Sequence, residues 1–244
     1  MMLARVLRRV GNALHSVGSG VRNTLVTHSV QVSEKPTPRW APGAALQTAY
    51  QIASREFAGI ARKGGDIPYL SHLLAVSALV IEHGGTEEQA AAGLLHDVLE
   101  DSNVTVEMLV AELVAGGVST EFAHFIAKIV EGTSDGKPGG ERSSATWKQR
   151  KSDYHASLAA KPATDSSLLV SLADKVHNIE STLVQVRAGE TLKEIYRHFN
   201  FGPDGQRWNY EELHKCFATH AESNPQLQRL VTRFERAVRE VFTR

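Results

Sequence analysis

An all-α fold, a helical bundle of eight to ten short helices, is predicted by three observations. Apolar residues recur at three- and four-residue spacing along most of the chain after residue 40. No alternating apolar–polar run of useful length marks a strand. Gly-rich breaks at 64–66, 116–117 and 136–140, with a loop at 200–207, cut the helical pattern into short lengths.

The elements follow in order. Residues 1–40 stand apart: Leu3, Val6, Leu7 and Val10 alternate with Arg5, Arg8 and Arg9, and the stretch drifts into Lys35-Pro36-Thr37-Pro38. An Arg-rich, acid-poor amphipathic start resembles an organelle transit peptide, with an unstructured extension as the alternative. The folded part, residues 41–244, is expected as one domain. Ala49, Ile52, Ala53, Phe57 and Ile60 form the first apolar stripe, and Leu73, Val76, Leu79 and Val80 the second. Thr86 with Gln89 is a capping-box pair that starts a helix at 86, because each side chain can satisfy the other residue's backbone N–H. Further helices are expected near 105–115, 119–131, 146–160, 165–188, 209–220 and 225–242.

Composition excludes several classes. The 244 residues carry 27 Lys+Arg and 27 Asp+Glu. Residues 1–40 hold six of the bases and only Glu34 as acid, so the remainder has 27 − 6 = 21 bases against 27 − 1 = 26 acids, a net of −5. A mildly acidic folded part argues against broad phosphate-backbone binding. No apolar run reaches membrane-spanning length. One cysteine, Cys216, cannot close an intrachain disulfide, so a reducing cytoplasmic compartment is expected, or a mitochondrial one if residues 1–40 are a transit peptide.

Three clusters carry chemistry. The first is Gly93-Leu94-Leu95-His96-Asp97-Val98-Leu99-Glu100-Asp101. On a helix His96 shares a face with Glu100, and Asp97 with Asp101, opposite an apolar arc of Ala91, Leu94, Leu95 and Val98. Carboxylates at a helix C-terminus oppose the macrodipole, and this helix has no Lys or Arg, so a positive group is expected nearby. A divalent metal is one candidate; a solvated polar face is the other. In the second cluster, Leu168 to Asn178, Asp174 follows an apolar run. Its partner is either Lys175 or Arg187 in a structural salt bridge, or the same metal. The third, Arg62-Lys63-Gly64-Gly65-Asp66-Ile67-Pro68-Tyr69-Leu70-Ser71-His72, reads as a solvated loop before a helix, or as a phosphate clamp beside a metal ligand.

Taken together and in this order, RKGGDIPYLSH, GLLHDVLED and SLADKVHN resemble the HD-domain metal-dependent phosphohydrolases. The similarity is greatest to the hydrolase domain of RelA/SpoT-type proteins and to the small alarmone hydrolases, and covers about residues 45–215. The resemblance implies that His72, His96, Asp97 and Asp174 ligate a metal, usually Mn²⁺ though another divalent ion is possible. It implies that Glu100 and Asp101 manage water and protons, that Arg62 and Lys63 lie beside the substrate's phosphates, and that Asn178 lines the nucleotide site. The chain departs from the family at Phe57 and Ile60, where a His and a Gln are common, at Leu73 in place of Pro, and at Ser102 in place of Thr. Residues 141–154 match only loosely.

The expected activity is removal of the 3′-pyrophosphate from guanosine tetra- or pentaphosphate, without synthesis, since residues 216–244 leave no room for a synthetase domain. The alternatives are the same chemistry on another substrate (a phosphorylated nucleotide, NADPH or a nucleic-acid end) and a non-catalytic protein that sequesters a nucleotide or toxin. A small nucleotide is the expected partner, with neither membrane nor nucleic acid; the oligomeric state is open. His177 is expected to support the site from outside it. The basic stretch at Trp147, Lys148, Arg150 and Lys151 is expected as an exposed helix face or part of the nucleotide site. The Gly202–Tyr210 segment reads as a plain turn or a source of stacking aromatics.

Overall fold

The computed structural model describes residues 38–134, 146–199 and 201–243. The expected break at 136–140 and residues 1–37 of the basic extension fall outside them. Helices α1 (Ala44–Glu56), α2 (Leu70–Glu82), α3 (Glu87–Leu95), α4 (Val98–Asp101), α5 (Val106–Ala115) and α6 (Thr120–Thr133) precede α7 (Trp147–Ala160) and α8 (Ser167–Arg187). After them come α9 (Leu192–Ile195), a 3₁₀ turn at Tyr196–His198, α10 (Gly202–Ser223) and α11 (Pro225–Phe242). Setting aside the one-turn α4 and α9, nine of these eleven helices are longer, within the expected eight to ten. The β-type pairing described is an isolated bridge, Ala61 with Pro68. No described helix is long and apolar enough to cross a membrane.

Local signals set most boundaries. Thr86 and Gln89 close a reciprocal capping box on α3, and Thr105 and Ser119 cap α5 and α6. Helix α1 lacks a side-chain cap of its own. Glu87 of α3 takes that role, accepting from the backbone N–H of Gly43 at 2.7 Å and of Leu46 at 3.1 Å. This carboxylate sits at the positive end of α1 and satisfies two N–H groups that have no intrahelical partner.

Two expectations are corrected. The stripe from Ala49 to Ile60 stops being helical after Glu56, and Ile60 lies 40% exposed. The segment 200–207 is not a loop throughout, because α10 begins at Gly202. Gly-Pro is a turn signal inside a chain, yet Pro203 in a first turn needs no N–H partner and its φ suits a helix. The bend that precedes it falls on Phe201, in the left-handed region at φ 63°.

Helix α8 runs through the centre, packed by α2, α3, α6 and α11, with Leu168, Leu169, Val170, Leu172, Ala173, Val176 and Ile179 fully or almost fully buried. Helices α2 and α3 approach closely because α3 presents Ala90, Ala91, Ala92 and Gly93. A Cβ on Gly93 would lie 3.1 Å from Ser77 Cα and 3.2 Å from its nitrogen. Those are backbone atoms, so the helices themselves must part. Gly93→Ala is therefore expected to destabilise the fold by about 1–3 kcal/mol, read as a lowered urea midpoint. An unchanged midpoint would mean that this contact is soft.

Candidate active site

The packing of α2, α3 and α8 brings three separated stretches of sequence to one point. His72 lies in the first turn of α2, His96 directly follows α3, Asp97 stands between α3 and α4, and Asp174 sits near the middle of α8. The expectation of one continuous helix through 96–101 is modified. The chain loosens at Asp97 (φ −99°, ψ −3°) before α4 resumes, which lets adjacent His96 and Asp97 face the same point.

His72, His96 and Asp174 are almost completely buried. His72 Nε2 lies 3.2 Å from Asp174 Oδ1 and 3.7 Å from Asp97 Oδ2. His96 Nε2 lies 3.1 Å from Asp97 Oδ2 and 3.6 Å from Asp174 Oδ1. One donor atom from each of His72, His96 and Asp174 falls within 4.8 Å of the others. His96 Nδ1 faces the Gly93 carbonyl at 2.9 Å and donates to it, which leaves Nε2 turned into the cluster. That buried Nε2 has no contact of hydrogen-bond geometry among the described residues. An orphaned imidazole nitrogen between two carboxylates fits a cation that accepts its lone pair.

The electrostatics make the same demand. Burial alone would disfavour the His96 imidazolium, yet Asp97 and Asp174 hold its pKa well above the usual value. Burial lowers that of His72 despite Asp174. Burial opposes ionisation of Asp97, but His96 brings its carboxyl down to about 2. Asp174, likewise penalised by burial, is held well below the usual range by Lys175 and then by both histidines. The pocket therefore favours a positive charge between these carboxylates, supplied by a proton or by a metal.

A pocket of about 150 Å³ opens over this cluster, lined by Tyr69, His72, His96, Asp97, Glu100, Thr133, Asp174, Lys175 and Asn178. Glu100 of the expected acidic pair lines it; Asp101, at the end of α4, is exposed and does not. Arg62 reaches the rim, its Nη2 donating to Asn178 Oδ1 at 2.9 Å, and Asn178 Nδ2 in turn donates to Asp174 Oδ1 at 2.5 Å. Lys63 is exposed and instead lies over the Phe199 ring at 4.6 Å. Lys175 pairs with Asp174 Oδ2 at 2.5 Å, so the salt bridge and the cluster geometry coexist, while Arg187 pairs with Glu240 across the surface.

Tyr69 was not singled out by the sequence. Its hydroxyl donates to Asp97 Oδ2 at 2.6 Å, and burial, followed by Asp97, pushes its pKa far up, so it remains a donor. Thr133, whose hydroxyl donates to Val130 O at 2.6 Å, was also missed. A Tyr three residues before the His at a helix start was the one available signal.

The departures from the family have local causes. Phe57 stacks on Tyr69 at 5.0 Å between centroids and props it against Asp97. Leu73 is fully buried in the core. The Ser102 hydroxyl donates to Val98 O and accepts from Val104 N, closing the end of α4. Trp147 is not on an exposed face: it is buried, stacked on Phe201 at 5.0 Å and beside Trp208. The start of α10 thus supplies aromatics that pack against α7.

The family described as HD domain matches residues 49–202, more than half of the chain. The chain belongs to the HD-domain family. It is 30% identical over 178 residues to a Streptomyces coelicolor protein named GTP pyrophosphokinase, taking in 69% of this chain and 19% of that protein. It is also 30% identical over 141 residues to the guanosine-3′,5′-bis(diphosphate) 3′-pyrophosphohydrolase of Aquifex aeolicus, covering 57% of this chain and 18% of the relative. The HD chain thus spans about a fifth of the length of the curated relatives it matches. Among solved structures it is similar to a metazoan ortholog of SpoT described as hydrolysing ppGpp and playing a role in starvation responses. That match has a TM-score of 0.58 and 20% identity over 81% of this chain and 97% of the other, a likeness of fold. An HD domain implies a divalent metal, and His72, His96 and Asp174 offer a site that fits one.

Proposed function

We propose that this HD-domain chain is a metal-dependent phosphohydrolase that removes the 3′-pyrophosphate of guanosine tetra- or pentaphosphate, with Mn²⁺ as its metal. The observation that carries this reading is the buried cluster of His72, His96 and Asp174, with Asp97 at its edge, beneath a pocket walled by Lys175, Asn178 and Glu100. The name of the Aquifex aeolicus relative points to the same nucleotide.

When bound, a divalent cation supplies a Lewis acid for a phosphoryl oxygen and makes water easier to deprotonate. The chain's own residues do the rest. His72, His96, Asp97 and Asp174 hold the cation, and Tyr69 keeps Asp97 aimed inward by donating to Oδ2. Glu100 takes the proton from the attacking water. Arg62 and Lys175 offset charge on the phosphates, Arg62 from the rim and Lys175 from the wall; Lys63 draws the substrate from farther out.

Purified Mn²⁺-loaded protein given guanosine tetraphosphate is expected to release GDP and pyrophosphate. No turnover by protein that demonstrably holds metal would overturn the activity. A panel including NADPH and other phosphorylated nucleotides, compared by kcat/KM, decides the substrate.

Arg62→Ala should act mainly on binding. One charge-assisted contact to phosphate, of roughly 1.5–3 kcal/mol, corresponds to a KM raised about ten- to a hundredfold. The kcat should stay within a few-fold of the parent if the contact is equally strong in ground and transition states. Steady-state kinetics check this. A kcat that falls with KM unchanged would show that Arg62 acts through Asn178 and Asp174 instead.

A further inference from the structure

His72 and His177 face each other through like atoms. The two Nδ1 nitrogens lie 2.8 Å apart, with ring centroids at 4.8 Å. His177 stands on α8 three residues after Asp174, and does not line the pocket. Two ring nitrogens at that distance share a single proton, and its location decides what the other side of His72 presents. With the proton on His72 Nδ1, donated to His177 Nδ1, the lone pair of His72 Nε2 faces Asp174 and His96. With the proton on His177 Nδ1, His72 must carry its own on Nε2 and offer it to Asp174 Oδ1, 3.2 Å away. Only the first arrangement leaves His72 able to ligate a cation.

We infer that His177 is a positioning residue whose Nδ1 lone pair selects the metal-binding tautomer of His72. The inference rests on His72, His96 and Asp174 being the metal ligands. The two ligand histidines are then served differently. His96 donates to the backbone carbonyl of Gly93, which can only accept. His72 donates to an imidazole, which accepts only while its own proton sits on Nε2. Binding of a divalent cation thus requires the His72 proton on Nδ1 and the His177 proton on Nε2, one proton on each ring.

Calorimetric titration of metal-stripped protein with Mn²⁺ tests this in three chains. His177→Phe keeps a ring but has no acceptor, and should weaken Mn²⁺ binding about 10- to 100-fold, the usual scale for losing the partner of a ligating histidine. His177→Asn, whose Oδ1 accepts, should recover most of that loss. Imidazole ¹⁵N spectra of the parent chain with diamagnetic Zn²⁺ should place the His177 proton on Nε2 and the His72 proton on Nδ1. Parent-like affinity in a folded His177→Phe, or a His177 Nδ1–H that persists with Zn²⁺ bound, overturns the inference. If His177→Phe shows no cooperative thermal unfolding, the spectra of the parent decide. A parent chain that binds no divalent cation overturns the ligand assignment itself.

Discussion

Asp174→Ala is expected to lose bound metal and hydrolysis together, with kcat/KM down at least about 10³-fold, roughly 4 kcal/mol of barrier. Four groups converge on this carboxylate: His72 Nε2 and His96 Nε2 at 3.2 and 3.6 Å, Lys175 Nζ at 2.5 Å and Asn178 Nδ2 at 2.5 Å. Removing it takes away one of the three convergent donors and the acceptor for the Asn178–Arg62 chain. The site also becomes less negative, since the imidazoles and the Lys175 ammonium keep only Asp97 and Glu100 as pocket carboxylates, which disfavours a cation further. Metal content by elemental analysis and turnover by product release are the two readouts, with thermal unfolding to show that the variant is folded. Metal retained at parent stoichiometry would mean that Asp174 is a salt-bridge partner of Lys175 and no ligand.

The helices were legible where an apolar stripe and a local cap coincide. Thr86 and Gln89 announce α3 because both capping partners lie within one turn, and the stripe of Leu227, Leu230, Val231, Phe234 and Val238 marks α11 just as directly. What local pattern does not hold is supplied by distant chain. Helix α1 is capped by Glu87, 44 residues from Gly43, and no window around Gly43 contains that carboxylate. The loosening at Asp97 was invisible for a different reason. The arc of Ala91, Leu94, Leu95 and Val98 continues across it at helical spacing, so apolar periodicity carries no trace of a bend whose purpose is polar.

The same division runs through the site. His72, His96, Asp97 and Asp174 stand in recognisable strings, and the structure brings them together. Their supports stand in the same strings, but what each one touches does not show there. Tyr69 meets Asp97 across 28 residues and His177 meets His72 across 105, pairings that only the packing of α2 on α3 and α8 creates. Neighbours on a helix do not normally face each other, yet Lys175 folds back onto Asp174 because the pocket beside them gathers negative charge. The acidic pair Glu100–Asp101 shows the limit of a motif from the other side. Two adjacent carboxylates look equivalent in sequence, and one turn of α4 sends only the first into the pocket.

That asymmetry gives the last prediction its form. Glu100→Gln should keep the metal, because the proposed ligands are other side chains and the amide preserves shape. It should nevertheless lose at least about 10²-fold in kcat, the scale of a lost general base, since an amide cannot take a proton from water. Asp101→Asn, altered at an exposed position beside the pocket, should stay within a few-fold of the parent. KM should move little in either, because neither carboxylate would contact phosphate favourably. Metal analysis and steady-state kinetics on the two variants separate the outcomes. A metal-free Glu100→Gln would make Glu100 a ligand, and an unchanged kcat would make it a spectator. A large loss confined to Asp101→Asn would mean that proton handling belongs to the outer carboxylate and reaches the pocket through α4.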